Sequence, residues 1–182
     1  NENDLLPLAP DVETVFVAGE LADDIGGLCG GWSIQWQGGM GDITIGTTIL
    51  DGIMNSVDNP DTVHYDKNGN FDDVADIGIV VVGEEPYAEG EGDDNDLNLT
   101  GSQRRLIRKM REKVDTLIII LVSGRPMTIT PELEEADAFV AAWLPGTEGQ
   151  GVADVLFGYR PFSGKLSFTW PRDMDQIPFD YN

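Results

Sequence analysis

The sequence predicts an α/β domain with a mainly parallel β-sheet flanked by helices, and three observations predict it. Residues 14–18, 77–82 and 117–122 are rich in β-branched residues and nearly continuous in apolar ones. Strands that do not alternate are strands covered on both faces. Helical patterns lie between these runs, and strands alternating with helices give a parallel sheet with right-handed crossovers. The length, 182 residues, fits one domain with a sizeable core.

In chain order, residues 14–18 form the first strand. Residues 44–57 predict a helix, because Ile45, Ile49, Ile53 and Val57 recur every four positions, with Thr47 or Thr48 near its start. The second strand is 77–82. Residues 100–114 predict a helix with Thr100 as N-cap. Leu106, Ile107 and Met110 share its apolar face; Arg104, Arg105, Arg108, Lys109 and Arg111 read as a solvated face. The third strand is 117–122, and 138–143 is a weaker fourth. Residues 147–157 predict a helix with Val152, Val155 and Leu156 as its stripe. Residues 165–170 alternate and predict an edge strand. Neither end reads as finished: the chain opens on Asn1-Glu-Asn-Asp-Leu-Leu-Pro7 and closes on Pro178-Phe-Asp-Tyr-Asn182. The expectation is a piece of something larger.

Composition removes several function classes. Eleven basic against thirty-three acidic residues give a net charge of −22. Phosphate backbones need clustered Lys and Arg, so no nucleic-acid partner is expected, and no docking on anionic membrane. A hydrophobic content of 41% is too high for a disordered acidic tail. One cysteine, Cys29, allows no internal disulfide, and one histidine, His64, allows no zinc site built on several imidazoles.

Ligands of open α/β sheets bind beyond the carboxyl ends of the strands. The loop after the second strand carries Glu84, Glu85, Glu89 and Glu91 among glycines and a Pro-Tyr pair. Crowded carboxyls have raised pKa values, which a general acid needs at neutral pH. A solvated acidic loop explains the charges equally well. After the first strand, Trp32 and Trp36 sit between glycine pairs with Gln35 and Gln37. Indole faces and amides suit sugar rings, and the expectation is one buried and one exposed indole.

Other motifs carry less. Ser123 ends the third strand, but no G-x-S-x-G elbow surrounds it and His64 is the only histidine base; Arg125 is expected to pair with loop carboxylates. Residues 146–151 are glycine-rich but lack a P-loop lysine. Residues 66–72 resemble the start of a calcium loop; Phe71 and Ile77 then break the pattern, so a turn is expected. Asn98-Leu-Thr100 fits a glycosylation sequon. No metal and no cofactor is expected.

Taken together, several stretches resemble glycoside hydrolase family 3, in its second, α/β-sandwich domain. They are Asn1-Glu-Asn-Asp-Leu-Leu-Pro-Leu8, Ala22-Asp-Asp24, Cys29-Gly-Gly-Trp-Ser-Ile-Gln-Trp-Gln-Gly38, Gly46-Thr-Thr-Ile49, Gly83-Glu-Glu-Pro-Tyr-Ala-Glu-Gly-Glu-Gly-Asp93, Ser123-Gly-Arg-Pro126, Ala141-Ala-Trp-Leu-Pro-Gly-Thr-Glu-Gly-Gln-Gly151 and Phe162-Ser-Gly-Lys-Leu-Ser-Phe-Thr-Trp-Pro171. The resemblance covers the chain nearly end to end. It implies a three-layer sandwich belonging to a retaining, exo-acting β-glucosidase or β-glucan glucohydrolase, periplasmic or extracellular. It implies that Glu89, in Pro86-Tyr-Ala-Glu89, is the acid/base, that Trp36 walls the subsite beyond the cleaved bond, and that Trp32 supports it. The substrate would be a β-glucan or cello-oligosaccharide. The partner would be an N-terminal (β/α)8 barrel domain carrying the nucleophile. The barrel and a C-terminal closing segment are then expected to lie outside residues 1–182, and the isolated chain to be inactive. A stand-alone carbohydrate-binding module is the rival reading. A receiver-like or flavodoxin-like regulatory domain is a third, and no strand ends in the lysine that a receiver needs.

Overall fold

Among the described residues five strands form one sheet in the order β2-β1-β3-β4-β5. They are β1 (Val15–Ala18), β2 (Val63–Tyr65), β3 (Ala75–Gly83), β4 (Val114–Val122) and β5 (Ala138–Trp143). Every neighbouring pair is parallel. The computed structural model describes residues 1–179; part of the closing stretch, 180–182, lies outside the described residues.

The two-sided burial read from the sequence is what the central strands show. Along β4, Ile118, Ile120 and Val122 face one core, with α2 (Ile49–Ser56) and α5 (Gly149–Leu156) above them. Leu117, Ile119 and Leu121 face the other, against Ile107 and Met110 of α3 (Gly101–Arg111). All six are essentially inaccessible. Each such side chain stabilises the fold by about 1.5–3 kcal/mol through burial. The result is a three-layer α/β sandwich. Two short helices complete it, α1 (Ile25–Cys29) and α4 (Thr130–Glu135).

Capping chemistry sets where two helices begin. Thr48 accepts from the Asp51 amide at 3.0 Å and Asp51 answers the Thr48 amide at 3.1 Å. Thr100 and Gln103 form the same reciprocal box on α3. The helix expected over 44–57 therefore starts later, at Ile49. Thr47 is unavailable to it, since its carbonyl accepts from the Gly149 amide at 2.9 Å and so cannot take the Asp51 amide as a helical turn requires. Ile45, assigned to the apolar stripe, stands 96% exposed before the cap.

The edge strand expected over 165–170 does not form. Its alternation is met by side chains instead of backbone: Phe168 and Trp170 pack on Trp143 at 5.9 and 5.8 Å between ring centroids. The basic face of α3 is only partly solvated. Lys109 donates to the Asn68 carbonyl and to Asn70 Oδ1 at 2.9 and 2.6 Å, and Arg111 pairs with Asp137 at 2.6 Å. The stretch 66–72 is a turn. Asp66 Oδ1 accepts from the amides of Asn70 and Asn68, which hold its carboxyl below the ordinary range. Among the described residues no group of three or more His, Cys, Asp or Glu is placed to hold a metal ion.

The strand order reverses beside β1, which places a crevice between the carboxyl ends of β1 and β3. A groove of about 910 Å³ opens there, lined in part by Gly19, Lys67, Glu84, Gln103 and Arg125.

Candidate active site

The loop 84–92 leaves the end of β3 and turns back on itself, with the Gly92 amide donating to the Ala88 carbonyl at 2.9 Å. Its first carboxylate is engaged, in line with the pairing expected of Arg125. Arg125 binds Glu84 Oε1 through Nη2 at 2.6 Å and Nε at 2.8 Å. Tyr87 donates its hydroxyl to Glu84 Oε2 at 3.0 Å. The Arg125 guanidinium lies 4.4 Å over the Tyr87 ring, a cation–π contact. Burial, then the Glu84 charge, pushes the Tyr87 phenol up to about 12. The hydroxyl therefore stays protonated and keeps its role as donor.

The second component comes from the loop between α1 and α2. Trp32 donates its amide to the Trp36 carbonyl at 2.8 Å, which folds the segment into a tight turn. Trp32 and Ile34 both adopt φ of 63°, a left-handed conformation that is costly for bulky and β-branched side chains. Such strain, of order 1–3 kcal/mol per residue, persists where the surroundings over-determine it and clusters at functional sites. The surroundings here are close. A Cβ on Gly31 would stand 2.0 Å from the Tyr87 carbonyl oxygen, so only glycine lets the two loops touch.

The two loops meet at Glu89. Trp36 Nε1 donates to Glu89 Oε2 at 2.9 Å across 53 residues of sequence. Gln37 Oε1 accepts from the Ala88 amide at 2.7 Å, and Gln37 Nε2 reaches the Glu89 carbonyl at 3.4 Å. Gln37, expected as a sugar-binding amide, ties the two loops together instead. The Glu89 carboxyl is fully exposed and does not line the groove at the crevice. Hydrogen bonding, first of all from Trp36, holds it below the ordinary carboxylate range. This reverses the raised value expected from crowding. Glu84, one of the loop carboxylates expected to repel it, is neutralised by Arg125, and water screens the rest.

Both indoles are exposed, Trp32 at 69% and Trp36 at 55%, so the expectation of one buried indole is corrected. Their rings lie 6.3 Å apart and tilted by 54°. The turn presents them to solvent because its base, not its tip, packs on the domain. Ser123 is buried and donates its hydroxyl to the Arg125 carbonyl, while His64 packs edge-on against Phe16. The glycine-rich stretch 146–151 opens α5, and the Gly149 amide donates to the Thr47 carbonyl at 2.9 Å. Asn98 accepts from the Thr128 hydroxyl at 2.6 Å, and Thr100 is the α3 cap.

Asp24 is an organising residue that the sequence reading does not single out. It accepts from the Gly27 amide at 2.7 Å as the N-cap of α1 and from the Gly41 amide at 2.8 Å. An aspartate just ahead of a glycine-rich helical start is the available signal.

Comparison with known proteins adds names to this geometry. The family described as glycosyl hydrolase family 3 C-terminal domain matches residues 1–182. The lysosomal beta glucosidase of Dictyostelium discoideum is 32% identical over 205 residues, covering all of this chain and 25% of that protein. The periplasmic beta-glucosidase of Salmonella typhimurium is 31% identical over 219 residues, covering all of this chain and 28% of that protein. Among solved structures, a mutant exo-1,3/1,4-beta-glucanase from a Pseudoalteromonas species superposes with a TM-score of 0.88 at 36% identity, over all of this chain and 31% of that one. The beta-glucosidase of Listeria innocua with isofagomine gives a TM-score of 0.83 at 27% identity, over all of this chain and 26% of that one. The chain thus spans between a quarter and a third of the length of these relatives.

Proposed function

This chain belongs to the glycosyl hydrolase family 3 C-terminal domain family, and from that premise we propose that it supplies Glu89 as the general acid/base of a retaining, exo-acting β-glucosidase or β-glucan glucohydrolase. The observation that carries the reading is the meeting of Trp36 and Glu89 at 2.9 Å on an exposed edge. A carboxyl and an aromatic wall at one point are what cleavage beside a sugar ring requires.

In this mechanism Glu89 protonates the leaving glycosidic oxygen while a second carboxylate attacks the anomeric carbon. Glu89 then takes a proton from the water that hydrolyses the glycosyl-enzyme. The second carboxylate belongs to an N-terminal barrel domain, about 5–5.5 Å away in a retaining site. Trp36 walls the subsite beyond the cleaved bond and Trp32 buttresses it. Docking of the barrel removes water from Glu89 and sets a negative charge beside it, and both effects raise its pKa towards what a general acid needs. The names of these relatives, beta-glucosidases and an exo-1,3/1,4-beta-glucanase, favour glucosyl ends of β-1,3/1,4-glucans as substrate. The periplasmic relative favours a periplasmic or extracellular location. No helix among the described residues is long and apolar enough to cross a membrane.

The test is hydrolysis of an aryl β-glucoside by the folded chain alone, then after adding separately produced barrel domain. Activity is expected only in the mixture. Turnover by the chain alone would mean that it carries its own nucleophile. Because both indoles are exposed, a binding module is the second reading. Affinity for cello-oligosaccharides that is indifferent to Glu89→Gln, with no activity in the mixture, would favour it.

Trp36→Phe separates the indole's two roles in the parent enzyme. The ring face stays and the N–H donor goes. That donor favours the carboxylate and lowers the pKa of Glu89. The first chemical step needs the protonated acid, so activity falls as pH rises through that pKa. The high-pH limb of kcat/KM should therefore move upward in the variant. A limb that stays, or moves down, would show that this bond does not set the acid's pKa.

A further inference from the structure

We propose that Arg125 is a positioning residue for the acid/base: one guanidinium fixes both ends of the loop 84–92 and so sets where Glu89 stands. The inference rests on the reading of Glu89 given above. Arg125 lies three residues beyond the end of β4, and the neighbouring strand β3 ends where the loop begins. At the loop's start, Nη2 and Nε hold Glu84 Oε1 at 2.6 and 2.8 Å. At its far end, Nη1 donates to the Gly92 carbonyl at 2.6 Å. Midway, the guanidinium lies against the Tyr87 ring, and the Tyr87 hydroxyl closes the circuit on Glu84 Oε2.

Glu89 makes none of these contacts. Its carboxyl is exposed and bonds to Trp36, and Gln37 ties the backbone at Ala88 and Glu89, so the Trp loop holds the middle of the loop while the clamp fixes its two ends. The clamp is well shielded: the side chains of Arg125 and Glu84 are 24% and 13% exposed. Charge-assisted bonds there are screened little by salt. The base of the clamp is itself fixed, since the buried Ser123 hydroxyl donates to the Arg125 carbonyl and Pro126 follows. Lysine cannot reproduce the arrangement. It has no planar fork to reach Glu84 and Gly92 together and no plane to stack on Tyr87.

The consequence is kinetic and selective. A misplaced acid slows departure of leaving groups that need a proton and spares those that do not. The experiment uses the full-length parent enzyme and compares phenyl with 2,4-dinitrophenyl β-glucoside for Arg125→Lys and Glu89→Gly. A 1 Å displacement can cost about 100-fold. We expect Arg125→Lys to lower kcat/KM roughly 10- to 100-fold for the phenyl substrate and less than about 3-fold for the dinitrophenyl one. A merely structural role would depress both substrates alike, and that result, or no loss on either, would overturn the proposal. If Arg125→Lys does not fold, Tyr87→Phe carries the test. It removes one hydroxyl from the clamp, and the same leaving-group bias is expected at smaller size; equal effects on both substrates overturn the proposal again. Glu89→Gly separates the two levels. Should it show the bias while the clamp variants do not, only the role of Arg125 fails. Should it show none, the acid/base reading fails and the clamp's purpose with it.

Discussion

Glu89→Gly in the parent enzyme is expected to lower kcat/KM for phenyl β-glucoside by about 10²–10⁴-fold, the usual contribution of a general acid or base. The dinitrophenyl glucoside should lose far less in its first step, because its leaving group departs without a proton. Its turnover should then be limited by hydrolysis of the glycosyl-enzyme, which lacks a base, and KM should fall accordingly. Added azide needs no base and should restore turnover while forming glycosyl azide. The structure makes this variant a clean one. Glu89 is fully exposed, and its loop is held at Glu84, Ala88 and Gly92 by other side chains. Melting should be nearly unchanged. Equal losses on both substrates, with no product from azide, would place the acid/base elsewhere.

Ile120→Ala should have the largest effect on stability. Ile120 is inaccessible in the central strand β4 and packs in the core beneath α2 and α5. Removing its outer carbons leaves a cavity between layers that cannot collapse, because β4 is paired on both sides. The expected loss is about 2–5 kcal/mol. The exposed Leu166→Ala, outside the sheet, serves as control and should change stability by less than about 0.5 kcal/mol. Urea unfolding followed by circular dichroism measures both. A loss below about 1 kcal/mol for Ile120→Ala would mean that the two faces of the sheet are not packed as described.

How far the sequence can be read follows from which interactions are local. Strands β3 and β4 are legible because burial on both faces writes itself as an unbroken apolar run. Strand β2 is not: three residues at an edge, with His64 facing solvent, carry no such run. Residues 165–170 have the period of a strand, yet period alone does not supply a backbone partner, and Trp143 offers an aromatic one. The helix expected over 44–57 is too long because a long-range backbone bond claims Thr47. At the site, the residue types are legible and their relations are not. Nothing local joins Trp36 to Glu89, which lie 53 positions apart. The direction of the Glu89 shift is hidden for the same reason. Counting neighbouring carboxyls along the chain ignores Arg125, which arrives from another strand and takes Glu84 out of the count.

The Trp-bearing loop is stitched shut at its base. Asp24 binds the amides of Gly27 and Gly41, and the Gly26 amide donates to the Gly41 carbonyl at 2.9 Å. A Cβ on Gly26 would lie 1.9 Å from the Gly39 carbonyl oxygen, so the two sides of the neck are in contact. A neck closed in this way isolates what lies beyond it. On the proposed reading of Trp36 as a subsite wall, insertions or replacements between Trp32 and Gln37 would change that wall while the sheet registers nothing, since lengthening a loop whose ends are already joined adds only about 0.6 kcal/mol per doubling. The domain thus divides into a fixed chassis and an exchangeable tip, a construction in which, on that reading, substrate preference can diverge without refounding the fold.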